Sequence, residues 1–188
     1  MSGWCWATCF PPPPEGDREF ARMTAAPEIF VDADACPVKA EAARVAERHG
    51  LVLHLVGNQW VRGLDLPFVR RVVVSEALDA ADDWIANHVR RNDIVITADI
   101  PLAARCLEKG ARVLGPTGRE FTQSGIGMAL AMRDLMSTLR DRGEIRGGGP
   151  SFSKNDRSRF LQALEQAVRD AKRAADPGRA CNPSRAGP

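Results

Sequence analysis

Ile29-Phe30-Val31-Asp32-Ala33-Asp34-Ala35-Cys36-Pro37 is an apolar run broken first by two acids and then by a proline. A short apolar run without alternation is the pattern of a strand buried on both faces, as in a parallel sheet. Proline near the first turn favours a helix opening just after it. Val38, Ala42, Val45 and Ala46 then recur at helical spacing until His49-Gly50, a helix stop. Outward from this unit the alternation repeats. Residues 51–56 read as a second strand, 58–67 as a loop holding Trp60 and Gly63, and 69–74 as a third strand. Its Val72-Val73-Val74 run, like Ile29-Phe30-Val31 and Ile94-Val95-Ile96, reads as buried on both faces. A helix follows over 79–90, with Ala81, Ile85 and Val89 on one face. Then come a strand over 93–97, a helix over 101–109 ended by Gly110, and a fifth strand over 111–114. Such alternation implies right-handed crossovers. The predicted fold is α/β: a three-layer α/β/α sandwich on a five-stranded, mainly parallel sheet, with extra C-terminal helices.

Beyond Gly115-Pro116-Thr117-Gly118 the pattern turns helical. Met128, Ala131, Met132, Leu135, Met136 and Leu139 form an apolar stripe that reads as core rather than as a cofactor box. Gly147-Gly148-Gly149-Pro150 breaks the chain. Ser153-Lys154-Asn155-Asp156 resembles a capping box opening a last helix, which buries Phe160, Leu161, Leu164 and Val168. The expected organisation is an irregular extension over 1–27, one α/β domain over 28–175 and a disordered tail over 176–188. The extension holds Trp4, Trp6 and four consecutive prolines. It reads either as an interaction tail or as translation from an upstream start, with Met23 the natural one.

Composition bounds the function. With 188 residues, 44% hydrophobic and 27% charged, the chain can bury a core without staples. The net charge of +2 conceals an asymmetry: residues 29–110 carry twelve acidic against ten basic side chains, and residues 140–175 carry five against nine. An acidic-leaning body thus precedes a basic stretch suited to phosphate, although exposed helices are often basic for solubility alone. Five scattered cysteines make no disulfide framework, so a reducing cytoplasm is expected. No apolar run approaches a membrane span, and no basic n-region marks a signal peptide.

The acids follow strands. Asp32 and Asp34 follow the first, Asp79 with Asp82 and Asp83 the third, and Asp99 the fourth. Strand carboxyl ends are where open α/β sheets form ligand crevices. Carboxylates gathered there repel one another unless a cation sits among them, and hard oxygen donors suit Mg2+ or Mn2+. The bland alternative is that Asp79, Asp82, Asp83 and Asp99 are helix caps and first-turn charges, which stabilise by ~0.3–1 kcal/mol. Asp32 resists that reading, because an unpaired carboxylate ending an apolar strand is costly. Asn58 and Thr97 are candidate contacts at strand ends, and Lys154 and Arg157 candidate phosphate contacts. Each has an ordinary role too, as turn former, strand residue or solvated charge. Arg133-Asp134 reads as a helix-surface pair. His49, His54 and His88 lack zinc spacing, and Cys36 has no histidine partner, so it reads as packing.

Val31-Asp32-Ala33-Asp34-Ala35-Cys36-Pro37-Val38 resembles the signature of the YaiI/YqxD family. So do Asp79-Ala80-Ala81-Asp82, the stretch from Asp93 through Thr97-Ala98-Asp99-Ile100-Pro101-Leu102-Ala103, Met132-Arg133-Asp134 and Gly148-Gly149-Pro150. The resemblance covers residues 29–174. That family in turn resembles the PIN-like nucleases, whose acidic cluster binds divalent metal and cleaves RNA. The resemblance implies Asp32, Asp79, Asp82 and Asp99 as catalytic metal ligands, with Asp34 an additional or outer ligand and no requirement at Asp83. Fold analogy alone does not establish activity.

Three functions follow as expectations. The first is a divalent-metal-dependent ribonuclease gripping RNA through its basic C-terminal region. The second is a non-catalytic RNA- or nucleotide-binding module. The third is a haloacid-dehalogenase-like phosphatase, suggested by Asp32-Ala33-Asp34. Motif order opposes the last, since Asp82-Asp83 precedes Thr97 and Ala35-Cys36 departs from its usual pattern.

Overall fold

A computed structural model describes residues 26–34, 36–59, 63–77, 79–142 and 152–175. The chain-start extension, Trp60, the Gly147–Pro150 break and the C-terminal tail lie outside the described residues. Six strands form one sheet: β1 (Ile29–Asp32), β2 (Leu53–Gly57), β3 (Val69–Val73), β4 (Ile94–Ile96), β5 (Arg112–Leu114) and β6 (Glu120–Phe121). The order is β3-β2-β1-β4-β5-β6, parallel throughout except that β6 runs antiparallel to β5. The helices are α1 (Lys39–His49), α2 (Ala80–His88), α3 (Ile100–Glu108), α4 (Ile126–Asp141) and α5 (Lys154–Ala175).

The uniform apolar runs explain the sheet. Every residue of β1, β2 and β4 is buried, because helices cover both faces. On one face Ile29, Val31, Leu53, Leu55, Ile94 and Ile96 pack against α1 and α5. On the other, Phe30, Val56 and Val95 pack against α2 and α3, with Ile126 of α4 at the margin. Each fully buried Leu, Ile, Val or Phe contributes roughly 1.5–3 kcal/mol relative to exposure. These two cores give the expected three layers.

Three expectations need correction. A sixth strand was not anticipated; β6 has only two residues, too short for a periodic signal. The apolar run over 72–74 is not buried on both faces: β3 is the sheet edge, and Val73 is 53% exposed. Nor is the methionine stripe of α4 core. Met128, Met132, Leu135 and Met136 are 73%, 48%, 52% and 41% exposed: α4 contacts α3, yet among the described residues Ile126 alone of α4 is buried. The α5 opening is as read from sequence. Asp156 N donates to Ser153 Oγ at 3.2 Å and Ser153 N donates to Asp156 Oδ2 at 3.0 Å, a reciprocal capping box. Among the described residues no helix is long and apolar enough to cross a membrane.

Candidate functional site

The strand order places β1 and β4 side by side although a whole excursion through β2 and β3 separates them in sequence. β1 leads outward to β2, whereas the chain returns to the opposite side of β1 through β4. The gap beyond their carboxyl ends is therefore the topological switch point, where α/β sheets open a crevice. A cleft of about 470 Å³ lies there, lined by Asp32, Asp34, Asn58, Asp79, Asp82 and Asp99 among others. Topology has thus brought together the acids of three separate strand ends.

Asp32 is the last residue of β1 and is 5% exposed. Thr97, fully buried just past β4, donates its Oγ1 to Asp32 Oδ2 at 3.1 Å. Asp99 N in turn donates to Thr97 Oγ1 at 2.9 Å. One hydroxyl therefore couples the first-strand acid to the fourth-strand acid. Asp34 is exposed and accepts from Asn58 N at 2.8 Å, which ties the β1 end to the β2 end. So Asn58 contributes its backbone to the cleft, as well as lining it.

The capping alternative separates the acids. Asp99 is a true cap of α3: its Oδ1 accepts from Leu102 N at 2.9 Å, and Pro101 follows in the first turn. Its Oδ2 faces Arg133 of α4 at 4.0 Å. Asp79 occupies the cap position of α2 but makes no side-chain capping bond. It also sits in the left-handed region, φ 61°, an uncommon conformation for a residue other than glycine. Asp83 belongs elsewhere, pairing with Arg105 at 2.7 Å on the outer face of α2.

Asp82 reports the electrostatics. Burial raises its carboxyl to about 6 from 3.8, and the charges of Asp99, Asp32 and Asp79 push in the same direction. Like charges held in a partly desolvated cleft cost free energy until a cation or a proton neutralises them. The donors are all hard oxygens, the set that suits Mg2+ or Mn2+. Among the described residues, however, no group of three or more His, Cys, Asp or Glu side chains is arranged to hold a metal ion. The carboxylates line the cleft without closing on one point.

Sequence reasoning missed Ser75 and Glu76, which follow β3 and line the cleft, and the approach of Arg133 to Asp99. Contacts across such distances leave no local signal. Lys154 and Arg157 do not line this cleft. Arg157 Nε donates to the buried Glu41 at 2.8 Å, clamping the start of α5 onto α1. Cys36 is packed as expected: its Sγ donates to Ile96 O at 3.6 Å, and burial, with Asp32 nearby, pushes the thiol up to about 12. His54 is a buried strand residue stacked on Phe30 at 4.6 Å and paired with Glu28 at 2.7 Å.

The model of the family described as "Uncharacterized BCR, YaiI/YqxD family" matches residues 30–170, which span every element from Phe30 of β1 into α5. The chain belongs to the YaiI/YqxD family. A UPF0178 protein of Parvibaculum lavamentivorans is 61% identical over 150 residues, covering 80% of this chain and 99% of the relative. A UPF0178 protein of Rhodospirillum rubrum is 60% identical over 147 residues, covering 78% of this chain and 98% of its own length. One from Mesorhizobium japonicum is 57% identical over 153 residues, with 81% and 99% covered. The names of these YaiI/YqxD relatives state no activity. No solved structure gives a significant match to the chain.

Proposed function

We propose that this YaiI/YqxD protein is a divalent-metal-dependent ribonuclease of the PIN-like type that hydrolyses RNA phosphodiesters. The observation that carries the reading is the shared cleft of Asp32, Asp79, Asp82 and Asp99 at the switch point, with charges that mutually oppose ionisation of Asp82. Asp32 and Asp99 are held in register by Thr97, Asp79 keeps a carboxylate free of capping, and Asp82 supplies a fourth oxygen donor. Mg2+ or Mn2+ bound by these residues would neutralise charge on the attacking and leaving oxygens of a phosphodiester. Asp34, braced by Asn58 N, is placed to orient water or an outer ligand.

Calorimetric titration of Mn2+ into metal-free protein tests the metal role. Wild type should bind, and Asp32→Asn and Asp99→Asn should each lose binding by tenfold or more. An Mn2+ isotherm unchanged by both substitutions would remove the metal reading. Cleavage of RNA in Mg2+ or Mn2+ then separates the nuclease from a non-catalytic RNA- or nucleotide-binding module. Turnover lost in Asp32→Asn supports the nuclease; RNA binding without turnover in the wild type supports the module.

A further inference from the structure

A second cleft lies on the same edge of the sheet. Leu114 ends β5, and its carbonyl accepts from Thr97 N at 3.1 Å, so the β5 end stands directly beside the acidic strand end. The β5–β6 turn that follows is closed by Gly115 N donating to Arg119 O at 2.8 Å and Gly118 N donating to Gly115 O at 3.0 Å. This turn meets α5 so closely that a methyl group on Gly118 would stand 2.7 Å from the backbone carbon of Arg159. Between turn and helix opens a cleft of about 580 Å³ lined by Thr117, Gly118, Arg119, Arg159, Gln162 and Ala163.

The lining has one sign. Among the described residues it holds two guanidiniums, a hydroxyl and a carboxamide, and no carboxylate. Of the nearest acids in sequence, Glu120 is engaged elsewhere, and Asp156, capped by Ser153, lies within electrostatic reach of Arg159 without pairing with it. Glu120 accepts from Arg112 at 2.9 Å, and Asp156 accepts from Ser153 N and Oγ. Among the described residues neither Arg119 nor Arg159 forms an ion pair. Both stem from rigid backbone: Arg119 from the closed turn, Arg159 from a helix anchored by the fully buried Phe160 beside it. Planar guanidiniums with adjacent hydrogen-bond donors match phosphate oxygens.

We infer that the Arg119–Arg159 cleft binds a backbone phosphate of a single-stranded polynucleotide whose next segment lies over the acidic crevice. The inference rests on the ribonuclease reading for the identity of the chain, and on the cleft itself for the phosphate. β1 and β5 are two strand spacings apart, about 10 Å. The acidic cleft opens beside α2 and the arginine cleft beside α5 on the other face of the sheet, so a single strand joining them passes over the carboxyl edge. The two clefts divide the labour: carboxylates at the switch point face the scissile group, and arginines at the β5 end hold the strand without adding negative charge.

The test is fluorescence anisotropy with a labelled single-stranded oligoribonucleotide in EDTA, so that neither metal nor cleavage enters. Wild type is compared with the double variant Arg119→Gln/Arg159→Gln across a salt series. The control, Arg44→Gln/Arg91→Gln, removes the same charge from exposed positions lining neither cleft. The double variant should bind about tenfold more weakly at low salt. Its slope of log affinity against log salt should fall by about 0.7 for one lost phosphate contact or about 1.4 for two. Equal losses in the control pair would assign binding to diffuse charge and overturn the inference, as would a double variant that binds like wild type. Wild type that fails to bind RNA in EDTA would overturn it as well. Mn2+ titration at the acidic crevice is independent of both arginines, so failure here leaves the metal reading standing on its own measurement.

Discussion

Thr97 Oγ1 donates to Asp32 Oδ2 at 3.1 Å across 65 residues of sequence, and the same oxygen accepts from Asp99 N at 2.9 Å. A fully buried hydroxyl that serves both acids is a positioning device. Thr97→Val keeps the shape and removes the bond, leaving a buried carboxylate with one donor fewer. A lost hydrogen bond to a charged group costs about 1.5–3 kcal/mol. Urea melts should show that loss with an unchanged m-value, together with weaker Mn2+ binding. Thr97→Ser should restore metal affinity while losing only the methyl contact. A valine variant as stable as the serine variant would show that the hydroxyl does not hold the two strand ends together.

Asp82 gives the site a pH signature. Its folded-state value of about 6 lies above 3.8, chiefly through burial and then through Asp99, Asp32 and Asp79. The native state therefore holds this proton more tightly than the unfolded chain does. Its contribution to stability is complete below about pH 4 and is lost as pH rises through 6. Asp82→Asn should raise the Tm at pH 7 in EDTA, with a gain that shrinks towards zero near pH 4. Because the group is partly solvated, the effect is discounted to about 1 kcal/mol. A gain independent of pH would trace it to helix propensity in α2 rather than to charge.

What sequence could and could not show follows from range. The runs at 29–31 and 94–96 disclosed buried parallel strands because burial on both faces is written residue by residue. Proline and Asp99 disclosed the start of α3 for the same local reason. Strand order is not local, so nothing in the sequence placed β4 rather than β2 beyond the switch point, or Arg133 near Asp99. Apolar periodicity, likewise, states that a face is apolar and not what covers it. That is why β3 and α4 were over-buried by the reading. Arg119 and Arg159 carried no signal, since each is an isolated basic residue until β5–β6 and α5 meet.

The exposure of the α4 stripe has a direct stability consequence. Met132→Gln and Leu135→Gln alter side chains about half exposed, so each should change stability by no more than about 0.5 kcal/mol. Leu164→Ala in α5, fully buried, should cost about 2–5 kcal/mol. Denaturant melts of the three variants at equal, low protein concentration check this. Losses in the α4 variants comparable to that of Leu164→Ala would return the stripe to the core.

Gly118 and Gly63 share a φ of +83°, and only their surroundings differ. Among the described residues nothing lies within 4 Å of the position a Cβ would take at Gly63, whereas at Gly118 it would meet Arg159 backbone carbon at 2.7 Å and Phe160 N at 2.8 Å. Alanine at either site carries the same left-handed strain, about 1–2 kcal/mol. Only at Gly118 must backbone also move, and that backbone belongs to a helix fixed by buried Phe160. Gly63→Ala should therefore cost about 1 kcal/mol and Gly118→Ala distinctly more. The difference measures how firmly the β5–β6 turn is seated on α5. Equal costs would mean the turn can lift from the helix at little expense, and Arg119 would then lack the fixed base on which a phosphate cleft depends.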